Sequence, residues 1–218
     1  MSARYAVLAD LDGVLLDSGP AIRTTLAATA TCATGRRITV ADLPADALTR
    51  PRTDVLADLG VLDPDQACTR WWDGALAAAP NRLFPGVTEG LRALRDAGAG
   101  LAVITLQHRD RLPWLIPPEL HELLDAVITP QHAAPKPSPD GLRAALDLLG
   151  VAPENAFMLG DSPADVAAAL AAGVLPIAAA WGWHEPDQLR AAGAHYVLGD
   201  SHEIGPKLLR RLAPLPGG

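Results

Sequence analysis

From about residue 84 onward, short apolar runs alternate with stretches of helical character, and this alternation constrains the fold more than any other feature of the chain. The runs are LAVIT at 101, DAVIT at 125, AFMLG at 156, VLPIA at 174 and HYVLG at 195. Interleaved with them are GVTEGLRALRDAG, SPDGLRAALDLLG and SPADVAAALAAG, which open on capping or turn residues and close on glycine, as helix ends prefer. An alternating strand and helix pattern predicts a parallel sheet covered by helices. YAVLAD at residue 5 is one more strand of the same kind.

Residues 17–83 break the rhythm. They hold no comparable strand run and read as helices, in PAIRTTLAATATCATG, RTDVLADLG and PDQACTRWWDGALAAA. The expected organisation is therefore an α/β core made from 1–16 and 84–218, with 17–83 as an inserted all-helical unit above the sheet edge where the first strand ends. A chain of 218 residues can bury such a core. No apolar run approaches the ~20 residues that span a bilayer, and the N-terminal residues run straight into a strand-like segment, so a soluble, cytoplasmic protein without a membrane partner is expected. A net charge of -7 disfavours nucleic acid, whose nonspecific binding needs clustered Lys and Arg. A small molecule is the better partner. Cys32 and Cys68 are too few and too far apart for a metal site or disulfide scaffold, and read as buried small hydrophobes. The tail LAPLPGG is expected to fray.

The chemistry sits at strand ends. In Ala9-Asp10-Leu11-Asp12-Gly13, two carboxylates stand two apart just beyond a buried strand, and the glycine permits a sharp turn. Two carboxylates about 4 Å apart repel by roughly 4 kcal/mol at an effective dielectric near 20, so the pair wants a cation or a shared proton. Taken alone it also fits a turn with two solvated aspartates. After the strand AFML, Gly160-Asp161-Ser162-Pro163-Ala164-Asp165 again carries two acids, of which helix capping explains one. Thr105 ends the strand LAVI, and Lys136, one of only two lysines in the chain, follows DAVIT between two prolines. Ligands of parallel α/β sheets bind outside the carboxyl ends of the strands, where all four motifs fall. Four acids, a lysine and a hydroxyl converging there can hold a hard divalent cation and accept a phosphate.

In order, DLDGVLLDS, Thr105, Lys136 in KPSPDGL and GDSPADVAAALAAG resemble the four motifs of the haloacid dehalogenase-like superfamily, most closely its phosphoglycolate phosphatase-like and β-phosphoglucomutase-like members. The resemblance implies a Rossmann-like parallel sheet core with helices on both faces and an all-helical cap inserted at 17–83. It implies that Asp10 is a nucleophile forming an aspartyl phosphate, and that Asp12 protonates the leaving oxygen and then deprotonates water. It further implies Mg2+ held by Asp10, the main-chain carbonyl of Asp12 and Asp161, with Asp165 as a further ligand or an acceptor behind them. Thr105 would bond the phosphoryl group and Lys136 would neutralise charge. Asp12 favours phosphoryl transfer from an alcohol over dehalogenation, and the absence of lysine between 13 and 135 disfavours a Schiff-base phosphonatase.

The chain departs from its relatives at Leu106, where many carry Asn. Gln107 or His108 can substitute for that amide, or the pocket takes an unusual substrate. In the helical insertion, Arg50 and Arg52 lie where relatives place a specificity loop, and bind an anionic or hydroxyl-rich part of the substrate unless they are simply solvated. Trp71 and Trp72 read as packing residues, and His184 in WGWHEP as a loop residue near the site. The expected function is a Mg2+-dependent phosphatase acting on a small phosphate ester, with a phosphomutase or a catalytically silent binding protein as alternatives. A signalling receiver domain also combines acids, Thr and Lys, but it has no cap and takes its phosphoacceptor from a middle strand, so the order of motifs speaks against it.

Overall fold

A computed structural model of the chain describes residues 5–212. Residues 213–218 of the tail expected to fray lie outside the described part. The chain divides into two compact units, Met1–Leu16 with Leu83–Gly218, and Asp17–Arg82.

The larger unit is a six-stranded sheet: β1 (Tyr5–Ala9), β2 (Ala99–Ile104), β3 (Ala126–Ile128), β4 (Ala156–Gly160), β5 (Leu175–Ala179) and β6 (Tyr196–Leu198). Every pairing is parallel and the spatial order is β3-β2-β1-β4-β5-β6. The strands are apolar almost without interruption because both faces are covered, and the two-residue period of a strand deals alternate side chains to two cores. Val7, Ala9, Leu101, Val103, Phe157, Leu159 and Ile177 face one side. There they meet Val87, Leu91 and Leu94 of the helix Val87–Asp96 and Ile204 and Leu208 of the helix Ile204–Leu212. Ala6, Leu8, Ala102, Ile104 and Met158 face the other side, against Leu142, Ala145 and Leu146 of the helix Asp140–Leu149 and Ala168, Ala169 and Ala172 of the helix Pro163–Ala172. Two short helices, Leu112–Leu115 and Pro118–His121, join β2 to β3. Their four-residue runs are too brief for helical periodicity to show in the sequence.

From β1 the chain moves outward one way through β2 and β3, then returns to β4 on the other flank of β1 and moves outward through β5 and β6. The strand order thus reverses between β1 and β4, and at such a switch point the connecting loops part and leave a crevice at the carboxyl ends. Asp10 follows β1, Asp161 follows β4 and Thr105 follows β2, so the topology alone delivers all three to that crevice.

The smaller unit is helical. It comprises Gly19–Thr34, Arg52–Asp58 and a continuous run in which Pro64–Ala67 passes through a π-helical segment, Cys68–Trp72, into Asp73–Ala78. Leu26, Ala30, Val55, Leu56, Trp72 and Leu76 form its core, with Trp71 packed against it. The cysteines correct the sequence expectation. Cys32 is exposed and Cys68 half-buried, because Cys32 lies away from the Leu26–Ala30 stripe through which the helix Gly19–Thr34 is buried.

Candidate active site

Just beyond β1 the chain turns sharply at Gly13, whose φ of 80° is left-handed and so suits glycine. A Cβ there would also stand 2.5 Å from Asp161 Oδ2 and 3.1 Å from the Trp183 ring. The Gly13 N–H donates to the Leu16 carbonyl at 2.9 Å, and the Asp10 N–H continues the sheet ladder to Leu159 of β4 at 2.9 Å. The two aspartates, both ahead of this turn, take different partners. Asp10 is aimed at Lys136, whereas Asp12 Oδ2 accepts a hydrogen bond from Gln107 Nε2 at 2.8 Å.

Lys136 is the hub of the crevice. Its ammonium lies 2.6 Å from Asp10 Oδ1 and 2.6 Å from Asp165 Oδ1, and it donates to the Ile104 carbonyl at 2.9 Å. Burial by itself would make the ammonium easier to deprotonate, but Asp10 and Asp165 outweigh it and hold its pKa above the usual lysine range. Asp165 divides its two oxygens between structure and site. Oδ2 accepts from the Ser162 N–H and hydroxyl, at 3.0 and 2.6 Å, as half of the capping box that starts the helix Pro163–Ala172, while Oδ1 faces Lys136.

Asp161 completes the cluster, its Oδ2 accepting from the Trp183 N–H at 2.7 Å. Oxygens of Asp10, Asp161 and Asp165 lie within 4.8 Å of one another. One lysine does not neutralise three crowded carboxylates. Burial raises Asp10 well above the usual carboxylate range against the pull of Lys136, with Asp165 and Asp161 adding to the rise. Burial and then Asp165 push Asp161 up to about 7. Three convergent hard oxygen donors with negative charge to spare fit a hard divalent cation.

Thr105 is buried at the end of β2, and its hydroxyl oxygen accepts from the Gln107 N–H at 3.0 Å. The hydroxyl proton is thereby turned away from Gln107 and is available to an acceptor in the crevice. Leu106 is 60% exposed. His184 is partly buried, and burial holds its imidazole below the usual value. Lys207, the other lysine, pairs with Glu203 at 2.9 Å.

Arg50 and Arg52 are engaged inside the helical unit. Arg50 pairs with Asp58 at 2.8 Å and Asp46 at 3.6 Å, and the Arg52 guanidinium sits 4.8 Å from the centre of the Trp72 ring.

Two supports were not read from the sequence. Trp183 supplies the N–H that fixes Asp161, and Trp181 donates from its indole to the Val14 carbonyl at 3.0 Å, so the loop after β5 holds both acidic turns. The Trp-Gly-Trp pattern was the available clue. A Cβ on Gly182 would overlap the Asp161 side chain, so Gly182→Ala should cost about 1–3 kcal/mol of stability and weaken divalent-cation affinity. Thermal melts with a Mg2+ titration check this, and unchanged values for both would mean that the loop yields.

The sequence pattern of the haloacid dehalogenase-like hydrolases matches residues 6–173. The chain belongs to this family. The plasmid phosphoglycolate phosphatase of Cupriavidus necator is 40% identical over 136 residues, covering 61% of this chain and 58% of that protein. A phosphoglycolate phosphatase of Nitrosospira multiformis is 31% identical over 198 residues, 83% of this chain and 85% of that one. The chain spans little more than half the length of the first curated relatives it matches. A haloacid dehalogenase-family hydrolase of Deinococcus radiodurans, solved with bound phosphate and sodium, superposes with a TM-score of 0.74 at 26% identity, covering 96% of this chain and 97% of that one. The Rossmann-like parallel sheet expected from the motifs is therefore the fold, and the family is the one the motifs resembled.

Proposed function

We propose that the chain is a divalent-cation-dependent phosphatase that hydrolyses a small phosphate monoester through an aspartyl phosphate on Asp10. The observation that carries this reading is Lys136, held between Asp10 and Asp165 with Asp161 in ligand reach. Asp10, Asp161 and Asp165 would hold the cation, Mg2+ being the one expected, with the Asp12 main-chain carbonyl beside them. When bound, the cation supplies charge neutralisation for the phosphate oxygens.

In the first half-reaction an Asp10 carboxylate oxygen attacks phosphorus and the bond from phosphorus to the ester oxygen breaks. Asp12 delivers its proton to the departing oxygen, which leaves as the alcohol. In the second, Asp12 takes a proton from water as the water oxygen attacks phosphorus. The Asp10–phosphorus bond breaks, inorganic phosphate departs and the carboxylate is restored. Lys136 keeps Asp10 positioned and balances charge on the phosphoryl group, and Thr105 donates its hydroxyl proton to a phosphoryl oxygen.

The phosphoglycolate phosphatases among its relatives make 2-phosphoglycolate the first substrate to try, beside sugar, polyol and nucleotide monophosphates. Phosphate release is expected from at least one of them with Mg2+, falling by two orders of magnitude or more (~10²-fold) in excess EDTA. Absence of turnover on the whole panel, together with no acid-labile adduct on Asp10, would sink the proposal. Release that depends on added sugar bisphosphate would instead point to a phosphomutase.

A further inference from the structure

Gln107 stands at the crossing of three interactions. Its Nε2 donates to Asp12 Oδ2 at 2.8 Å, its Oε1 accepts from Arg111 Nη1 at 3.1 Å, and its N–H donates to the Thr105 hydroxyl at 3.0 Å. The side chain lies between an acid and a guanidinium, and its amide donates to the first through its NH2 while accepting from the second through its carbonyl. Arg111 therefore selects which end of the amide faces Asp12.

The segment that carries Gln107 is fixed independently of that side chain. The Arg111 N–H donates to the His108 carbonyl at 2.9 Å, closing the turn that follows β2, and the Arg109 N–H donates to Gln131 Oε1 at 3.3 Å. Gln107 is half-buried, so its bond to Asp12 is partly sheltered from water. Asp12 stands immediately before the sharp turn at Gly13 and is half-buried too.

We infer that Gln107 is a positioning residue for protonation of the leaving group, its amide holding the Asp12 carboxyl group in register with the ester oxygen. This rests on the phosphatase reading above. In the step concerned, the electron pair of the breaking phosphorus–oxygen bond passes to the ester oxygen as the Asp12 proton reaches it. A carboxyl group swinging about its χ angles would deliver that proton less often, and a hydrogen bond to Oδ2 fixes the swing. The backbone bond to Thr105 does not involve the side chain, so substitution at 107 separates the two tasks: phosphate contact stays and proton delivery suffers.

The test compares two leaving groups. An alkyl phosphate releases a strongly basic alkoxide and needs the proton, whereas p-nitrophenyl phosphate releases a phenolate that is stable near neutral pH and does not. Gln107→Leu removes both side-chain bonds, and Gln107→Glu keeps a partner for Arg111 while losing the donor to Asp12. Both variants should lose about 10- to 100-fold in the single-turnover rate of leaving-group release from the alkyl phosphate and less than about threefold in that rate from the aryl phosphate, the later hydrolysis of the aspartyl phosphate being common to both esters. Asp12→Asn should show the same difference in leaving-group release more strongly, while steady turnover of both esters falls because Asp12 also serves the water step. Equal losses in the single-turnover release of the two leaving groups in the Gln107 variants, or no loss with the alkyl ester, would overturn the assignment. Should Gln107→Leu not fold, the charge-bearing Gln107→Glu gives the same ratio to read. Wild-type turnover of the two esters tests the phosphatase reading, and the ratio between them tests Gln107.

Discussion

Asp10→Asn is expected to abolish phosphate release, by about 10⁴-fold or more as for removal of other enzymatic nucleophiles, while leaving the fold intact and the metal-free protein no less stable. The two halves of this expectation have one cause. Burial keeps the Asp10 carboxyl well above its ordinary pKa even with Lys136 beside it, so the ionised form that would attack phosphorus in the proposed mechanism is the form the folded chain tolerates least. An acid whose folded pKa is raised binds more protons folded than unfolded, and its effect on stability becomes unfavourable as pH rises from the unfolded value through the folded one. Asparagine keeps the shape and removes the charge. Lys136 retains Asp165 at 2.6 Å, so no buried cation is stranded. A melting temperature at pH 8 equal to or above that of the wild type, beside lost turnover, is the predicted pair of results. Turnover within about tenfold of wild type would move the nucleophile elsewhere. A substantial drop in melting temperature would mean that Asp10 serves the fold more than the chemistry.

What could be read from the sequence follows from which forces act locally. β1, β2, β4 and β5 are buried on both faces, so their apolar runs stand out, and the glycines and prolines that bound them are visible beside them. The acids could be found because they end those runs. Cys32 could not be placed, since the helix Gly19–Thr34 is built largely from alanine and threonine and shows little contrast between its faces. Asp165 reads equally as a cap or a ligand in the sequence, and the structure uses one oxygen for each. Gln107 was visible as a spare amide near Leu106, but its partner Asp12 lies 95 residues away, a pairing set by the adjacency of β1 and β2 and not by spacing. Gly182 was unreadable for a related reason. What forbids a side chain there is Asp161 on another strand's loop, and no local pattern reports that.

Lys136→Met should be the most damaging single change to the fold of this crevice, and its effect should depend on pH in a stated direction. The lysine side chain is 5% exposed and its partners Asp10 and Asp165 are 13% and 2% exposed. Removing one partner of so buried a group costs about 3–5 kcal/mol, because the remaining charges have no water to turn to. The lysine's own titration cannot supply the pH dependence. Its folded pKa is raised, so its stabilisation is complete below the unfolded value of 10.5 and is lost only as pH climbs through the higher folded value. The acids supply it. Asp161 already titrates near 7 with the lysine helping to keep it ionised, and without that help Asp161 and Asp10 must rise further. Below about pH 5 the variant can take up protons and shed the repulsion, whereas at pH 8 it must hold ionised carboxylates without their cation. Denaturant melts should therefore show a deficit that widens from pH 5 to pH 8, and added Mg2+ should stabilise the variant at pH 8 by an amount that grows with the logarithm of its concentration above the dissociation constant. Phosphatase turnover should fall on the order of 10³-fold through loss of charge balance at phosphorus. A deficit below about 1 kcal/mol, equal at both pH values, would place Lys136 among ordinary surface pairs and remove the hub on which the proposed site is built.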